Sequence, residues 1–141
     1  MILVVEDDEN DLMFLKRAMK EVGVTNPIQV ATDGQKVLDY FQGTGKFANR
    51  LEFPLPCLVL LDLKLPYVMG LDVLTWIRAQ PQFKSTIVIM LTSSRHTKDI
   101  RTAYQLGANA YLVKPADLDA LEGMTRTLND FWLTQNTPPP D

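Results

Sequence analysis

The chain is poor in cysteine, in histidine and in long apolar runs, and it has no strong excess of charge. Its 141 residues include one cysteine and one histidine, and the formal net charge is −3. A lone cysteine excludes an internal disulfide, and this charge balance provides no positive surface for nucleic acid or an anionic membrane. The apolar stretches are too short to span a bilayer, and no signal peptide marks the N-terminus. We therefore expect a cytoplasmic protein that binds neither nucleic acid nor membranes.

The chain does contain five short apolar runs, separated by segments of helical periodicity. Runs this short and this apolar are typical of strands that are buried on both faces of a parallel sheet. The segments between them place apolar residues three and four positions apart, as helices do. The alternation predicts an α/β fold with a doubly wound, five-stranded parallel sheet and helices on both faces. The runs cover residues 1–5, 28–31, 58–61, 86–91 and 111–113.

The length of the chain favours a single domain with one hydrophobic core. We expect residues 1–133 to form that domain, and the proline-rich residues 134–141 to form a disordered tail. Cys57 stands just before an apolar run, and we expect it to be a small residue of the core or its rim rather than a reactive thiol.

One connection is longer than this layout needs. Residues 42–56 join a predicted helix to a predicted strand, where roughly two to six residues are typical. Phe47, Leu51 and Phe53 are apolar, which predicts that the loop folds back onto the domain.

Acidic side chains follow two of the predicted strands at the point where each strand ends. Asp62 follows the run 58–61, and Pro66 prevents that strand from continuing. Glu6 and Asp7 follow the first run. Ligands of open parallel sheets bind beyond the carboxyl ends of the strands, so we expect the three carboxylates to surround one point. Carboxylate oxygens suit Mg²⁺, which we predict as the cofactor.

A hydroxyl and an ammonium group follow two further strands. Asp62 is the candidate nucleophile, because a carboxylate that attacks phosphorus forms an acyl phosphate. Thr92 can donate a hydrogen bond to one phosphoryl oxygen, and Lys114 can offer a positive charge to another. Together these groups predict a phosphoryl-transfer site.

Four short motifs carry these residues in a fixed order along the chain. They are Val4-Val5-Glu6-Asp7-Asp8, Leu60-Leu61-Asp62-Leu63-Lys64-Leu65-Pro66 with Gly70, Leu91-Thr92-Ser93, and Tyr111-Leu112-Val113-Lys114-Pro115. As a set, they resemble the receiver domain of two-component response regulators. The resemblance spans almost the whole chain and implies a flavodoxin-like (βα)5 fold with strand order 2-1-3-4-5.

The resemblance implies a role for each acidic residue. Asp62 would take a phosphoryl group from a sensor histidine kinase or a phosphotransfer protein. Asp7, Asp62 and the backbone carbonyl of Lys64 would ligate Mg²⁺ directly, and Glu6 would act mostly through water. The long loop is similar to that of stand-alone receivers found beside phytochrome-type histidine kinases, which makes a phytochrome-like kinase the expected partner.

The resemblance also implies a switch. Thr92 would move toward the phosphoryl group and vacate space for Tyr111, which would alter the face formed by the fourth helix, the fifth strand and the fifth helix. That face would contact a downstream protein or a second copy in a homodimer. Phe131 and Trp132 are adjacent and cannot share one helical face, so one should remain exposed. A cis peptide would follow Lys114.

Two positions in these motifs vary within the family, and one departs from its common pattern. Lys64 and Ser94 occupy the variable positions that tune dephosphorylation. Met69 stands before Gly70, where a polar residue is frequent.

Two other function classes fit the chain less well. A phosphohydrolase of the haloacid-dehalogenase type needs a second Asp two residues after the nucleophile, where this chain has Lys64. A flavin carrier needs a small polar phosphate loop after the first strand, where this chain has three acids. We therefore expect a single-domain response regulator that catalyses only its own phosphorylation and dephosphorylation, with the phosphohydrolase as the alternative.

Overall fold

A five-stranded parallel sheet forms the centre of the molecule, as predicted. The computed structural model describes residues 1–140. The strand order is β2-β1-β3-β4-β5, which confirms the order implied by the receiver resemblance. The strands are β1 (Ile2–Val5), β2 (Ile28–Ala31), β3 (Leu58–Leu61), β4 (Val88–Thr92) and β5 (Ala110–Val113).

The central strands are apolar throughout because both faces of the sheet are covered. Along β1, Leu3 and Val5 belong to the core on one face, while Ile2 and Val4 belong to the core on the other. Burying a side chain of this size contributes about 1.5–3 kcal/mol, so a polar residue inside these strands would be costly. Polar groups are consequently placed where the strands end, and the candidate site lies at that edge.

Helices cover both faces of the sheet. Residues of α1 and α5 pack on one face, and residues of α2, α3 and α4 pack on the other. Asp8 caps the first helix, because its carboxylate accepts from the backbone N–H groups of Asn10 at 2.9 Å and Asp11 at 3.0 Å. The α-helices are α1 (Glu9–Glu21), α2 (Gly34–Gln42), α3 (Gly70–Ala79), α4 (Thr97–Gln105) and α5 (Leu118–Asp130).

The long loop after α2 folds back onto the domain, with one exception to the prediction. Phe47 lies in a 3-10 helix, Gly45–Ala48, and is buried, and Phe53 packs against the same core. Leu51 is 97% exposed, so its predicted packing is wrong. Arg50 instead holds this part of the loop, and its guanidinium donates to the carbonyls of Tyr40 and Phe41 at 2.7 Å each. These carbonyls belong to the last turn of α2, where no following helical turn offers backbone N–H donors.

The chain remains helical beyond α5. A π-helix covers Phe131–Gln135, in which Trp132 packs against the core while Phe131 is exposed, as expected for adjacent residues. Asp141, the last residue of the predicted tail, lies outside the described residues. Among residues 1–140, no helix is both long enough and apolar enough to cross a membrane.

Cys57 is exposed, which excludes the core position and agrees with the predicted alternative of a residue at the rim. Its neighbours Pro56 and Leu58 are buried, and the alternation of an extended chain then turns the side chain between them outward.

Candidate functional site

The predicted polar residues converge at the carboxyl edge of the sheet. Glu6 and Asp7 follow β1, Asp62 follows β3, Thr92 ends β4, and Lys114 follows β5. The strands are parallel and in register, so their ends meet at one edge. These residues line a cavity of about 560 Å³, together with Lys64, Ser94, Arg95 and His96 among others.

Three carboxylates form an acidic cluster within this cavity. Glu6, Asp7 and Asp62 each offer an oxygen, and these oxygens all lie within 4.8 Å of one another. Glu6 and Asp62 are buried, with 5% and 8% of their surface exposed, whereas Asp7 is exposed. Hard oxygen donors at this spacing, open to solvent on one side, match what a divalent cation such as Mg²⁺ or Mn²⁺ requires.

Lys114 is the cation that faces this cluster. Its ammonium Nζ lies 3.0 Å from Asp62 Oδ2 and 3.1 Å from Asp11 Oδ2, and it also contacts Glu6 Oε1. Burial alone would lower the pKa of Lys114, but hydrogen bonds to Glu6 and Asp62 raise it above its ordinary value. The ammonium therefore stays charged and supplies the local counter-charge for the carboxylates.

The pKa of Glu6 is also raised, which favours the neutral form of this carboxyl group. Burial raises the pKa of Glu6 to about 7, and the hydrogen bond from Lys114 limits that rise. The carboxyl group therefore titrates near neutral pH when no other cation is close.

The backbone around Asp62 holds its carboxylate in a fixed position. The N–H of Leu63 donates to Asp62 Oδ1 at 2.7 Å, which leaves Oδ2 facing Lys114. Gly70 brings the start of α3 against the same residue, since a Cβ at Gly70 would lie 2.0 Å from the carbonyl oxygen of Asp62. Only glycine allows this approach, which explains why Gly70 follows the site motif.

The predicted switch residues are joined through Ser94. The backbone N–H of Ser94 donates to Thr92 Oγ1 at 3.3 Å, and the hydroxyl of Tyr111 donates to the carbonyl of Ser94 at 3.0 Å. Thr92 is buried and the ring of Tyr111 packs against the core. Burial raises the pKa of the Tyr111 hydroxyl, so this group remains a donor at neutral pH.

The predicted cis peptide after Lys114 is wrong for this structure, since every peptide bond among residues 1–140 is trans. The bond preceding Pro115 can adopt either isomer, and trans is favoured intrinsically by about 0.5–1 kcal/mol.

One contact of the site was not predicted. Asp11 lies in the first turn of α1, and its contact with Lys114 ties that helix to the segment after β5. The only sign of this contact in the sequence is that Asp11 lies in the first turn of the helix that follows Glu6 and Asp7.

Comparison with known proteins identifies the family of this chain. Residues 2–126 match the family described as the response regulator receiver domain. The chain is 36% identical to the probable methanogenesis regulatory protein FilR2 of Methanothrix harundinacea, over 98% of this chain and 86% of that protein. It is 33% identical to the response regulator Rcp1 of Synechocystis sp., over 98% of this chain and 92% of Rcp1.

Solved structures agree with this assignment. The Mn²⁺-bound form of Rcp1 superposes with a TM-score of 0.89 at 32% identity, covering 99% of this chain and 98% of that one. The phosphorylated cyanobacterial phytochrome response regulator RcpA superposes with a TM-score of 0.91 at 32% identity, covering 99% and 97%. Neither the fold nor the family supports the haloacid-dehalogenase alternative.

Proposed function

The chain belongs to the response regulator receiver domain family of two-component systems, and from that premise we propose that Asp62 accepts a phosphoryl group from a sensor histidine kinase. The observation that carries this proposal is the position of Asp62. It ends the central strand with one carboxylate oxygen held by a backbone N–H and the other 3.0 Å from Lys114. Glu6 has a comparable pair of donors, the Asp8 N–H at 3.2 Å and Lys114, so Asp62 is distinguished by its place directly after the central strand β3, within the receiver motif.

The proposed transfer forms one bond and breaks another. A carboxylate oxygen of Asp62 forms the new P–O bond, while the P–N bond to the kinase histidine breaks and its electron pair stays on the imidazole. Thr92 donates a hydrogen bond to one phosphoryl oxygen. Lys114 gives up part of its contact with Asp62 and donates to a second phosphoryl oxygen. The Leu63 N–H holds the carboxylate throughout, so orientation does not depend on the incoming group.

We assign Mg²⁺ as the cation of the acidic cluster. Asp7, Asp62 and the carbonyl of Lys64 would hold it directly, and Glu6 would contribute through water. This assignment is supported by the three carboxylates, whose oxygens lie within 4.8 Å of one another, and by the position of Lys64 on the same cavity. When bound, the cation offsets the carboxylate charge and stabilises charge on the transferring phosphoryl group.

The proposed kinase partner is phytochrome-like. RcpA is a phytochrome response regulator, and its close structural match over nearly the whole of both chains supports this partner. The match to FilR2, a probable regulator of methanogenesis, is of similar strength, so kinase identity needs a direct test. We place the exchange in the cytoplasm, because the kinase obtains its phosphoryl group from ATP there.

The proposed output is a protein contact. The face formed by α4, β5 and α5 would bind a downstream protein or a second copy of the chain, and exposed Phe131 would add apolar area. The functional body would be residues 1–133, with 134–141 as a tail. No catalysis is proposed beyond the protein's own phosphorylation and dephosphorylation.

Asp62→Asn provides the main test. The variant should keep its fold and take up no hydroxylamine-sensitive phosphoryl group from any member of a kinase panel that includes phytochrome-type kinases. Asp8→Asn is the control, because Asp8 caps α1 and should still allow labelling. Label retained in the Asp62 variant and mapped to Asp7 would overturn the assignment.

A paired substitution tests the metal site. Asp7→Ala should weaken Mg²⁺ binding by at least about tenfold, because it removes a direct ligand. Asp8→Ala removes a helix cap and should instead cost about 1 kcal/mol of stability. Titration of both variants with Mg²⁺ by NMR measures the difference, and equal losses of affinity would contradict it.

A further inference from the structure

Ser94 joins three parts of the molecule that switching must connect. Its backbone N–H binds the hydroxyl of Thr92, and its carbonyl accepts from Tyr111. Its own hydroxyl donates to Asp99 Oδ2 at 2.6 Å, the shortest of these contacts. Asp99 lies in the first turn of α4, so one loop residue links the end of β4, the side chain of β5 and α4.

Ser94 and Asp99 take the place of a side-chain N-cap at the start of α4. The cap residue of this helix, His96, makes no side-chain capping bond. The backbone N–H of His96 instead donates to the hydroxyl of Ser94 at 3.3 Å, and that hydroxyl is oriented by Asp99. A hydrogen bond to an ionised carboxylate is stronger than one between neutral groups, so Asp99 determines where Ser94 is held.

We propose that Asp99 is a positioning residue that fixes Ser94 to α4, so that movement of Thr92 displaces Tyr111 and α4 together. Its effect on switching presupposes the proposed phosphorylation of Asp62. Thr92 cannot approach a phosphoryl group on Asp62 without changing its bond to the N–H of Ser94. Because Ser94 also holds Tyr111, the same displacement reaches the ring. Through Asp99, it also reaches the first turn of α4.

The tyrosines of the chain allow each part to be observed separately. Tyr111 reports on β5, Tyr104 lies in α4, and Tyr40 is buried in α2. Incorporation of 3-fluorotyrosine gives one fluorine signal for each, with Tyr67 as the fourth, and single Tyr→Phe variants assign them. Beryllofluoride with Mg²⁺ serves as the phosphoryl analogue.

In the wild type, the signals of Tyr111 and Tyr104 should shift together as beryllofluoride binds. In Asp99→Ala, the Tyr111 signal should move even without beryllofluoride, because Ser94 is no longer held. The beryllofluoride-induced shift at Tyr104 should then be mostly lost, because the charge-assisted hydrogen bond that links Ser94 to α4 is gone. Asp99→Asn keeps an acceptor oxygen but loses the charge, so its effect on both signals should be clearly smaller than that of Asp99→Ala.

Three further variants separate this role from helix stabilisation. Ser94→Ala should reproduce Asp99→Ala, and the double variant should be no worse than either, because the residues act through one contact. Asp72→Ala is the matched control, since Asp72 is an exposed acid in the first turn of α3. It should leave both signals unchanged.

Wild-type signals in Asp99→Ala would overturn the proposal. Losses in Asp99→Asn or in Asp72→Ala equal to those in Asp99→Ala would also overturn it, because they would indicate an effect of helix charge alone. If the wild type does not respond to beryllofluoride, the proposed phosphorylation fails instead. The position of the Tyr111 signal in beryllofluoride-free Asp99→Ala then still decides whether Asp99 holds Ser94.

Discussion

Two partly buried cations at opposite ends of the sheet are held in contrasting ways. Lys114, at the carboxyl end, is surrounded by the carboxylates of Glu6, Asp11 and Asp62. Arg78, at the amino end, donates only to neutral oxygens. Its partners are the carbonyls of Lys84, Thr86 and Gly107, at 2.7–2.9 Å, and the side chain of Asn109 at 2.9 Å.

The difference separates the cation of the candidate site from one that joins backbone segments. Burial lowers the pKa of Arg78, because no carboxylate compensates it, whereas the carboxylates raise the pKa of Lys114. The planar guanidinium fits several fixed acceptors at once, and the carbonyls belong to backbone that does not exchange partners. The ammonium is a point charge among anions, and an incoming phosphoryl group or metal ion can compete for the same contacts.

Alanine substitutions of Arg78 and Lys114 should differ most clearly in how Mg²⁺ changes the free energy of unfolding. Arg78→Ala should lower the free energy of unfolding by about 2–3 kcal/mol, with or without Mg²⁺, because the carbonyls lose a charged donor. Lys114→Ala should cost about 1–2 kcal/mol in EDTA and much less in Mg²⁺, since the ion can take over the counter-charge. Urea unfolding measures both, and Arg126→Ala, on the exposed side of α5, is the control. Rescue of Arg78→Ala by Mg²⁺ would remove the distinction.

Phosphoryl sensing should depend on Lys114 and not on Arg78. Lys114→Ala should still bind Mg²⁺ but need about tenfold more beryllofluoride to reach half-saturation, because one charged contact to the phosphoryl group is lost. Arg78→Lys keeps a cation at the amino end and should bind beryllofluoride as the wild type does. Unchanged binding in Lys114→Ala would reduce Lys114 to a structural cation.

The pH dependence of stability should reveal the surroundings of Lys114. The pKa of Glu6 is about 7 in the folded protein, whereas the ordinary value for a glutamate side chain, which applies to the unfolded chain, is 4.5. Between these values the folded state binds more protons than the unfolded state, so this contribution to stability falls as pH rises from about 4.5 through 7. Glu6→Gln should flatten that part of the curve, measured by thermal unfolding in EDTA. Parallel curves for the variant and the wild type would contradict the raised pKa.

The residues of the site could be predicted because each marks the end of an apolar run. A strand buried on both faces tolerates no charge, so Asp62 and Glu6 had to lie at a strand end. Parallel strands then bring those ends together, and the receiver motifs identified the chemistry. The family was predicted correctly from these motifs, and the sheet order was predicted correctly from the resemblance to that family.

Contacts made by long polar side chains were not predictable in this way. Arg78 binds the carbonyl of Gly107, 29 residues away, and Arg50 binds the end of α2. No periodicity marks such pairs, since the acceptor is backbone and every residue offers one. The orientation of Leu51 and of Cys57, and the isomer of the bond before Pro115, likewise depend on local geometry that composition does not encode.

Arg50 makes the segment between α2 and β3 a self-contained insertion. A longer loop adds little closure entropy, and its main cost is the backbone groups that it leaves without partners. Arg50 provides hydrogen-bond donors within this loop. Its guanidinium donates to the last carbonyls of α2 and to the carbonyl of Phe53 at 3.3 Å. Phe47 contributes its own packing against Tyr40, with ring centroids 5.0 Å apart. Residues 43–55 could thus be extended at the exposed tip near Leu51 without rebuilding the domain beneath, whereas a transplant to another receiver would have to include Tyr40, against which Phe47 packs.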